Sequence, residues 1–390
     1  MLSQYRALLA RARARLLVCA CALAWIAFTS YALALILAVH AATRSFSVAG
    51  AAVAAFSVGS GLGAPARGRL IDSRGPASLA IFAAAHTGVA AGLAVACALR
   101  APSSIVLALS ALAGVSVPPV IATARMLWAD VAGAELTRAA HALNASLADA
   151  AQLLSPGLIA GLAALFAPSL ALGVVIAAAG VAGMLVAAVG RQRSPSRRAS
   201  RRRFWGVMAD SAGLRTLVSC HIAGGLWTGA FEVTLTSLAA GRGSAELAAI
   251  PLGLAALGGI AGSLWVGSRS ASRPAAVRYL GGSVAVAVVL PLTLIEPSLA
   301  TVTGIALLAG AGYGVLNAAL FELLDHAVSS DRAVEAFTWL TLGQAAGTAA
   351  GAAIGGALAQ RASVDALAVV CVSAGAAAGI ALIRRGSLGV

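Results

Sequence analysis

Long apolar stretches fill this chain, interrupted by short segments that hold most of its arginine, proline and polar residues. A helix rises 1.5 Å per residue, so roughly twenty apolar residues cross the hydrocarbon of a bilayer. The pattern predicts spans over 16–39, 47–66, 77–99, 103–127, 139–166 and 169–190. A second set follows over 215–240, 247–267, 276–295, 299–321, 336–359 and 365–383. The expected fold class is an all-α membrane protein of about twelve transmembrane helices in two six-helix bundles. One bundle occupies 1–190 and the other 204–390, with 191–203 as a linker.

Composition agrees, since 60% of the residues are hydrophobic and only 10% are charged. A soluble domain uses roughly a quarter charged residues, so lipid is the expected surrounding of most of this chain. All 27 cationic residues are arginine, against 13 acidic ones. Such an excess raises nucleic acid or acidic lipid as partners. Assigned alternately to the two sides of the predicted spans, 23 arginines fall on the side of the N-terminus and four (Arg44, Arg100, Arg242, Arg361) on the other. The positive-inside rule then places both termini in the cytoplasm, and topology rather than nucleic acid explains the charge. A shift of one span would destroy the segregation.

Arg6, Arg11, Arg13 and Arg15 precede an apolar run longer than the core of a signal peptide, so 16–39 is expected to be a retained first span. The linker RQRSPSRRASRRR holds seven arginines among serine and proline, which suits a topology anchor or a contact with anionic lipid. Cys19, Cys21, Cys97, Cys220 and Cys371 lie in apolar stretches without metal-ligand spacing, so no metal is expected.

Within the spans, Gly343, Gly347, Gly351 and Gly355 form a small-residue stripe, and Gly258 with Gly262 repeats it. Such stripes let helices pack closely, and the same residues serve a static contact or a sliding one. Pro118–Pro119, Pro156–Gly157 and Pro251 mark expected bends. Charges at membrane depth point to function, because hydrocarbon penalises them unless they face a wet cavity or a partner. Asp149, with Gln152 on the same helix face, and Glu232 are the two carboxylates so placed. Burial favours the neutral form of a carboxyl, which makes each a candidate to bind a proton or substrate; a static, hydrogen-bonded acid is the alternative. His221 lies about three turns before Glu232 and roughly on its face, a candidate relay or a packing histidine, as is His86. Trp25, Tyr31, Trp227, Tyr313, Asn144 and Asn317 are candidate cavity residues. There is no Walker loop, HExxH, CxxC pair or Gly-x-Ser-x-Gly elbow, so neither an enzyme nor an ATP-driven pump is expected, and no cofactor.

The loop Gly68-Arg69-Leu70-Ile71-Asp72-Ser73-Arg74-Gly75-Pro76 resembles the signature of the major facilitator superfamily, with Ser73 and Pro76 where the family usually has basic residues. The resemblance implies two bundles that rock about a midplane site. It implies further that Asp72 joins a charge network, with Arg125 as partner, that latches the cytoplasmic side, while Gly68 and Gly75 allow tight turns. The alternative is that these charges only fix topology. Gly267-Ser268-Arg269 with Arg273 is a weaker echo in the second half. Ser155-Pro156-Gly157, followed by Gly161, is loosely similar to the glycine-proline signature of the superfamily's antiporters. Together these features suggest a monomeric plasma-membrane carrier that exports a small molecule in exchange for protons. Proton-linked uptake of a metabolite and a non-transporting membrane sensor are the alternatives.

Overall fold

The computed structural model describes residues 2–191, 206–268, 274–328 and 333–388. Most of the basic linker, Arg269 and Arg273 therefore lie outside the described residues, as does the side chain of Asp72. Among the described residues fourteen α-helices follow one another: α1 Leu2–Ala10, α2 Ala12–Thr43, α3 Phe46–Arg74, α4 Leu79–Ala98, α5 Ser103–Ser116, α6 Val120–Leu165 and α7 Pro168–Gly190. Then come α8 Gly206–Asp210, α9 Ala212–Ala240, α10 Ala249–Ser268, α11 Ala275–Val289, α12 Leu299–Ala327, α13 Ala333–Ala359 and α14 Ser363–Ile383. Ten segments are long and apolar enough to cross a membrane. The helices α9 and α13 have similar length but carry His221, Glu232, Gln344 and several threonines, and with them the count reaches the expected twelve. Helix α6 is two spans in one, because Gly133, at φ 69° and ψ 168°, breaks it between the end of the fourth span and the start of the fifth.

Two compact units result. Unit 1 comprises Met1–Ala42 and Gly59–Ser200, and unit 2 comprises Thr43–Val58 and Arg201–Val390. Helix α3 is thus divided between them.

In unit 1, a core of Leu8, Leu17, Leu79, Leu127, Trp128 and Val186 draws α1, α2, α4, α6 and α7 together. The predicted bend at Pro118–Pro119 is a full break, with α5 ending at Ser116 and α6 beginning at Val120. Prolines carry no N–H, so the Gly114 and Val115 carbonyls lose the donors that a continuing helix would give them. Buried Arg67 replaces those donors: its Nη1 donates to Gly114 at 3.1 Å and to Val115 at 2.6 Å. His86, fully buried, serves the neighbouring carbonyl of Ala113 from Nδ1 at 3.0 Å. Arg11 does the same for the break at Gly133, donating to the Val131 and Ala132 carbonyls at 2.8 and 2.7 Å. Other arginines close helix ends too, Arg13 on Val189 and Arg15 on Leu9 and Ala10.

In unit 2, the glycine stripe of α13 lies on α9. An ideal Cβ on Gly347 would fall 2.0 Å from the Ile222 carbonyl oxygen, and one on Gly351 equally close to that of Leu226. Gly225 and Gly229 of α9 answer in kind against Gln344 and Thr348 of α13. Helices α10 and α12 interlock the same way through Gly258, Gly262, Gly310 and Gly314. Pro251 sits in the first turn of α10, where a helix tolerates proline, so it produces no bend there. The first turns of α3 pack on α13, where the Phe46 amide donates to Gln360 Oε1 at 2.7 Å. Leu214, Leu217, Tyr279, Leu320, Leu323 and Leu340 form the apolar core at the opposite end of the α9 contacts. Arg278 and Glu322 pair between α11 and α12.

Candidate functional site

A polar cleft opens in unit 2 among α9, α11, α12, α13 and α14. Its enclosed space is small, about 30 Å³, and reaches about 430 Å³ only with the open mouth included. His221 and Trp227 come from α9, Tyr279 from α11, Tyr313 and Asn317 from α12, and Gln344 from α13. Each arrives there for a local reason. On α9, residues 221, 224, 228 and 232 recur at helical spacing and so share one face. His221 Nδ1 meets the Leu217 carbonyl at 3.0 Å one turn back. A carbonyl only accepts, so Nδ1 carries the proton and Nε2 of a neutral ring is an acceptor. Trp227 packs edge-to-face on Tyr313, with ring centroids 5.7 Å apart and planes at 83°. Tyr313 and Asn317 are one turn apart on α12.

Sequence reasoning missed Tyr279 and, with more consequence for the site, Gln344. It sits beside Gly343 on the packing helix, and its amide Nε2 donates to the Thr228 hydroxyl at 3.2 Å. The Oε1 end lies over Gly224, 3.8 Å from where a Cβ there would be. A carboxamide near the middle of an apolar span was the available signal.

Glu232 follows Thr228 by four residues and is half-buried on α9. Among the described residues its carboxylate has neither hydrogen bond nor ion pair; only its backbone carbonyl is engaged, by Thr236 Oγ1 at 2.8 Å. It does not line the cleft that His221 lines. Asp149 and Gln152 belong to unit 1, where both are exposed on one face of α6. Trp25 and Asn144 meet in that unit, the indole Nε1 donating to Asn144 Oδ1 at 3.3 Å, and Thr29 donates to Ser155 at 2.8 Å one turn along. Tyr31 and His86 also meet, with ring centroids 5.7 Å apart.

At the 68–76 loop, Gly75 has φ 83° and ψ 169°, a conformation that favours glycine, and its amide closes on the Ile71 carbonyl at 2.8 Å. Gly68 instead lies inside α3, where an added Cβ meets nothing within 4 Å. Arg74 and Arg125 are exposed. Among the described residues no cluster of His, Cys, Asp or Glu could hold a metal ion.

Aromatic, hydroxyl and amide side chains gathered in a cleft among the spans of a helical membrane protein suit the holding of a small molecule. The chain belongs to the Major Facilitator Superfamily, whose family model matches residues 16–352. No curated protein matches it. Among solved structures it is similar to the nucleoside transporter NupG, at 11% identity and a TM-score of 0.72, covering 95% of this chain and 98% of that one. A bacterial homologue of the iron transporter ferroportin in an inward-facing state gives 14% identity and a TM-score of 0.71, covering 95% and 98%. The human organic anion transporter MFSD10 gives 18% and 0.66, covering 96% and 98%. At these identities the likeness is one of fold. The chain is thus a multi-pass membrane transporter with the superfamily's architecture, and its members are transporters rather than enzymes.

Proposed function

We propose that this protein is a proton-coupled exporter of a small molecule in the plasma membrane, working as a monomer with both termini in the cytoplasm. The observation that carries the proposal is the placement of Glu232. Its carboxylate, without a partner among the described residues, lies one turn beyond Thr228, which holds Gln344 of the polar cleft. A carboxyl so placed is free to exchange a proton, and its change of charge reaches the cleft through one turn of α9. Asp149 and Gln152 are a second candidate pair on unit 1. The segregation of 23 arginines to one side supports the orientation. Ser155-Pro156-Gly157 favours export, and Asp72 with Arg125 is the proposed cytoplasmic latch. The halves 1–190 and 204–390 are the proposed moving bodies, each closing on the substrate in turn.

A resistance screen of a deletion strain supplies the substrate, and proteoliposomes loaded with a pH-sensitive dye then test the coupling. Substrate movement should acidify or alkalinise the lumen, and Glu232→Gln should abolish that signal while substrate exchange without a gradient continues. Unchanged rate and pH dependence in Glu232→Gln would remove this residue from the mechanism. Accumulation in intact cells rather than in inverted vesicles would reverse the direction, and an absence of any movement would leave the sensor reading.

A further inference from the structure

We infer that the cleft of unit 2 is a recognition subsite for an uncharged, planar compound that carries both N–H donors and acceptors, such as a heteroaromatic base or an aromatic amide. The inference deepens the transport reading and rests on it for the cleft's role, but it does not rest on proton coupling.

Three observations converge. Among the described residues no Asp, Glu or Arg lines the cleft. An ionic ligand would leave water without a counter-charge, a penalty of several kcal/mol. The polar groups include fixed acceptors, with donors beside them: the Trp227 indole N–H and the Tyr279 and Tyr313 hydroxyls line the same cleft. The Gln344 amide is oriented by its donation to Thr228, which turns Oε1 over Gly224 and leaves it to accept. His221 uses Nδ1 on the Leu217 carbonyl and keeps Nε2 as a second acceptor. Asn317 adds one carboxamide that both donates and accepts. A ligand matching this set presents two or more N–H groups and at least one acceptor.

The walls set the shape. Trp227 and Tyr313 form an edge-to-face corner, against which a flat ring can stack. The site is also held rigidly, because a Cβ on Gly225 would lie 2.3 Å from the Gln344 carbonyl oxygen. With α9 and α13 locked at that residue, the carboxamide is in place before ligand arrives, and little ordering opposes binding.

Equilibrium binding to the purified full-length protein in lipid nanodiscs tests this without any gradient. The probes are adenine, uracil and nicotinamide as neutral planar donors, benzoate as a planar anion and inositol as a neutral non-planar polyol. At least one of the first three should bind saturably and quench tryptophan fluorescence, while benzoate and inositol do not. Gln344→Ala should weaken that binding about tenfold, roughly 1.4 kcal/mol, and Trp227→Leu should remove most of the quenching. Gly375→Ala, where an added Cβ meets nothing within 4 Å, should leave it unchanged. Thermal unfolding of each variant separates lost binding from lost fold. Binding by none of the three neutral probes, or benzoate binding as tightly as the best of them, overturns the inference. A Glu232→Gln protein that binds normally but has lost its proton signal would uphold both proposals; one with an intact proton signal would sink the coupling and leave the subsite standing.

Discussion

The guanidinium of Arg67 donates to the Val115 carbonyl at 2.6 Å, a carbonyl that Pro119 leaves without its helical partner. The two features are complementary: one removes a donor from the ladder and the other returns it from a neighbouring helix. Arg67→Ala should therefore destabilise the protein by on the order of 3 kcal/mol, since the Val115 carbonyl loses the Arg67 donor and that of Gly114 is left with the Val117 amide at 3.3 Å. Adding Pro118→Ala and Pro119→Ala, which restores the backbone donors, should recover part of the loss. Thermal unfolding of the single, double and triple variants in detergent measures this coupling, and strictly additive effects would contradict it.

Gly347 and Gly351 of α13 leave no room for a methyl group against α9. Each substitution to alanine should lower stability by about 1–3 kcal/mol, the usual range for overpacking. Gly379→Ala on α14, where an added Cβ meets nothing within 4 Å, should be neutral or slightly stabilising. Comparison of unfolding midpoints decides it.

Arg100 takes φ 52° at the end of α4, and Gly75 takes φ 83° after α3. The left-handed region costs a non-glycine residue about 1–2 kcal/mol. Arg100→Gly should thus raise the unfolding midpoint and Gly75→Ala should lower it. Opposite signs from two loop substitutions are the expected outcome.

Arg278 and Glu322 tie α11 to α12, with side chains 17% and 43% exposed. Partial solvation limits the pair to about 1 kcal/mol. Arg278→Gln and Glu322→Gln should each lose that amount, and the double variant should lose little more. A coupling energy near zero in this cycle would show that the pair adds no stability.

Much of this was legible in the sequence, for physical reasons. Backbone groups in lipid must bond within their own helix, so apolar runs state the spans directly. The stripe of Gly343, Gly347, Gly351 and Gly355 announced a close helix contact, although its partner α9 was invisible in a single helix. His221, Trp227, Tyr313 and Asn317 were singled out as polar or aromatic residues at membrane depth, and the fold brings all four to one cleft. Gln344 escaped notice because its neighbours are packing glycines, and its role depends on Thr228 from another helix. Arg67 was counted as a loop charge; only the position of α5 shows that it fills the gap left by two prolines. The length of α6 was hidden because Gly133 turns the chain without a loop.

The two N–H groups of a single guanidinium nitrogen, Nη1, have a consequence for how the helices are held. Arg11, Arg15, Arg67 and Arg215 each bridge two successive carbonyls where a helix stops. Arginines whose distribution along the sequence suggests an orientation thus also serve as rivets of the finished helix ends. Losing any one of these side chains would therefore open two carbonyls at a helix end at once.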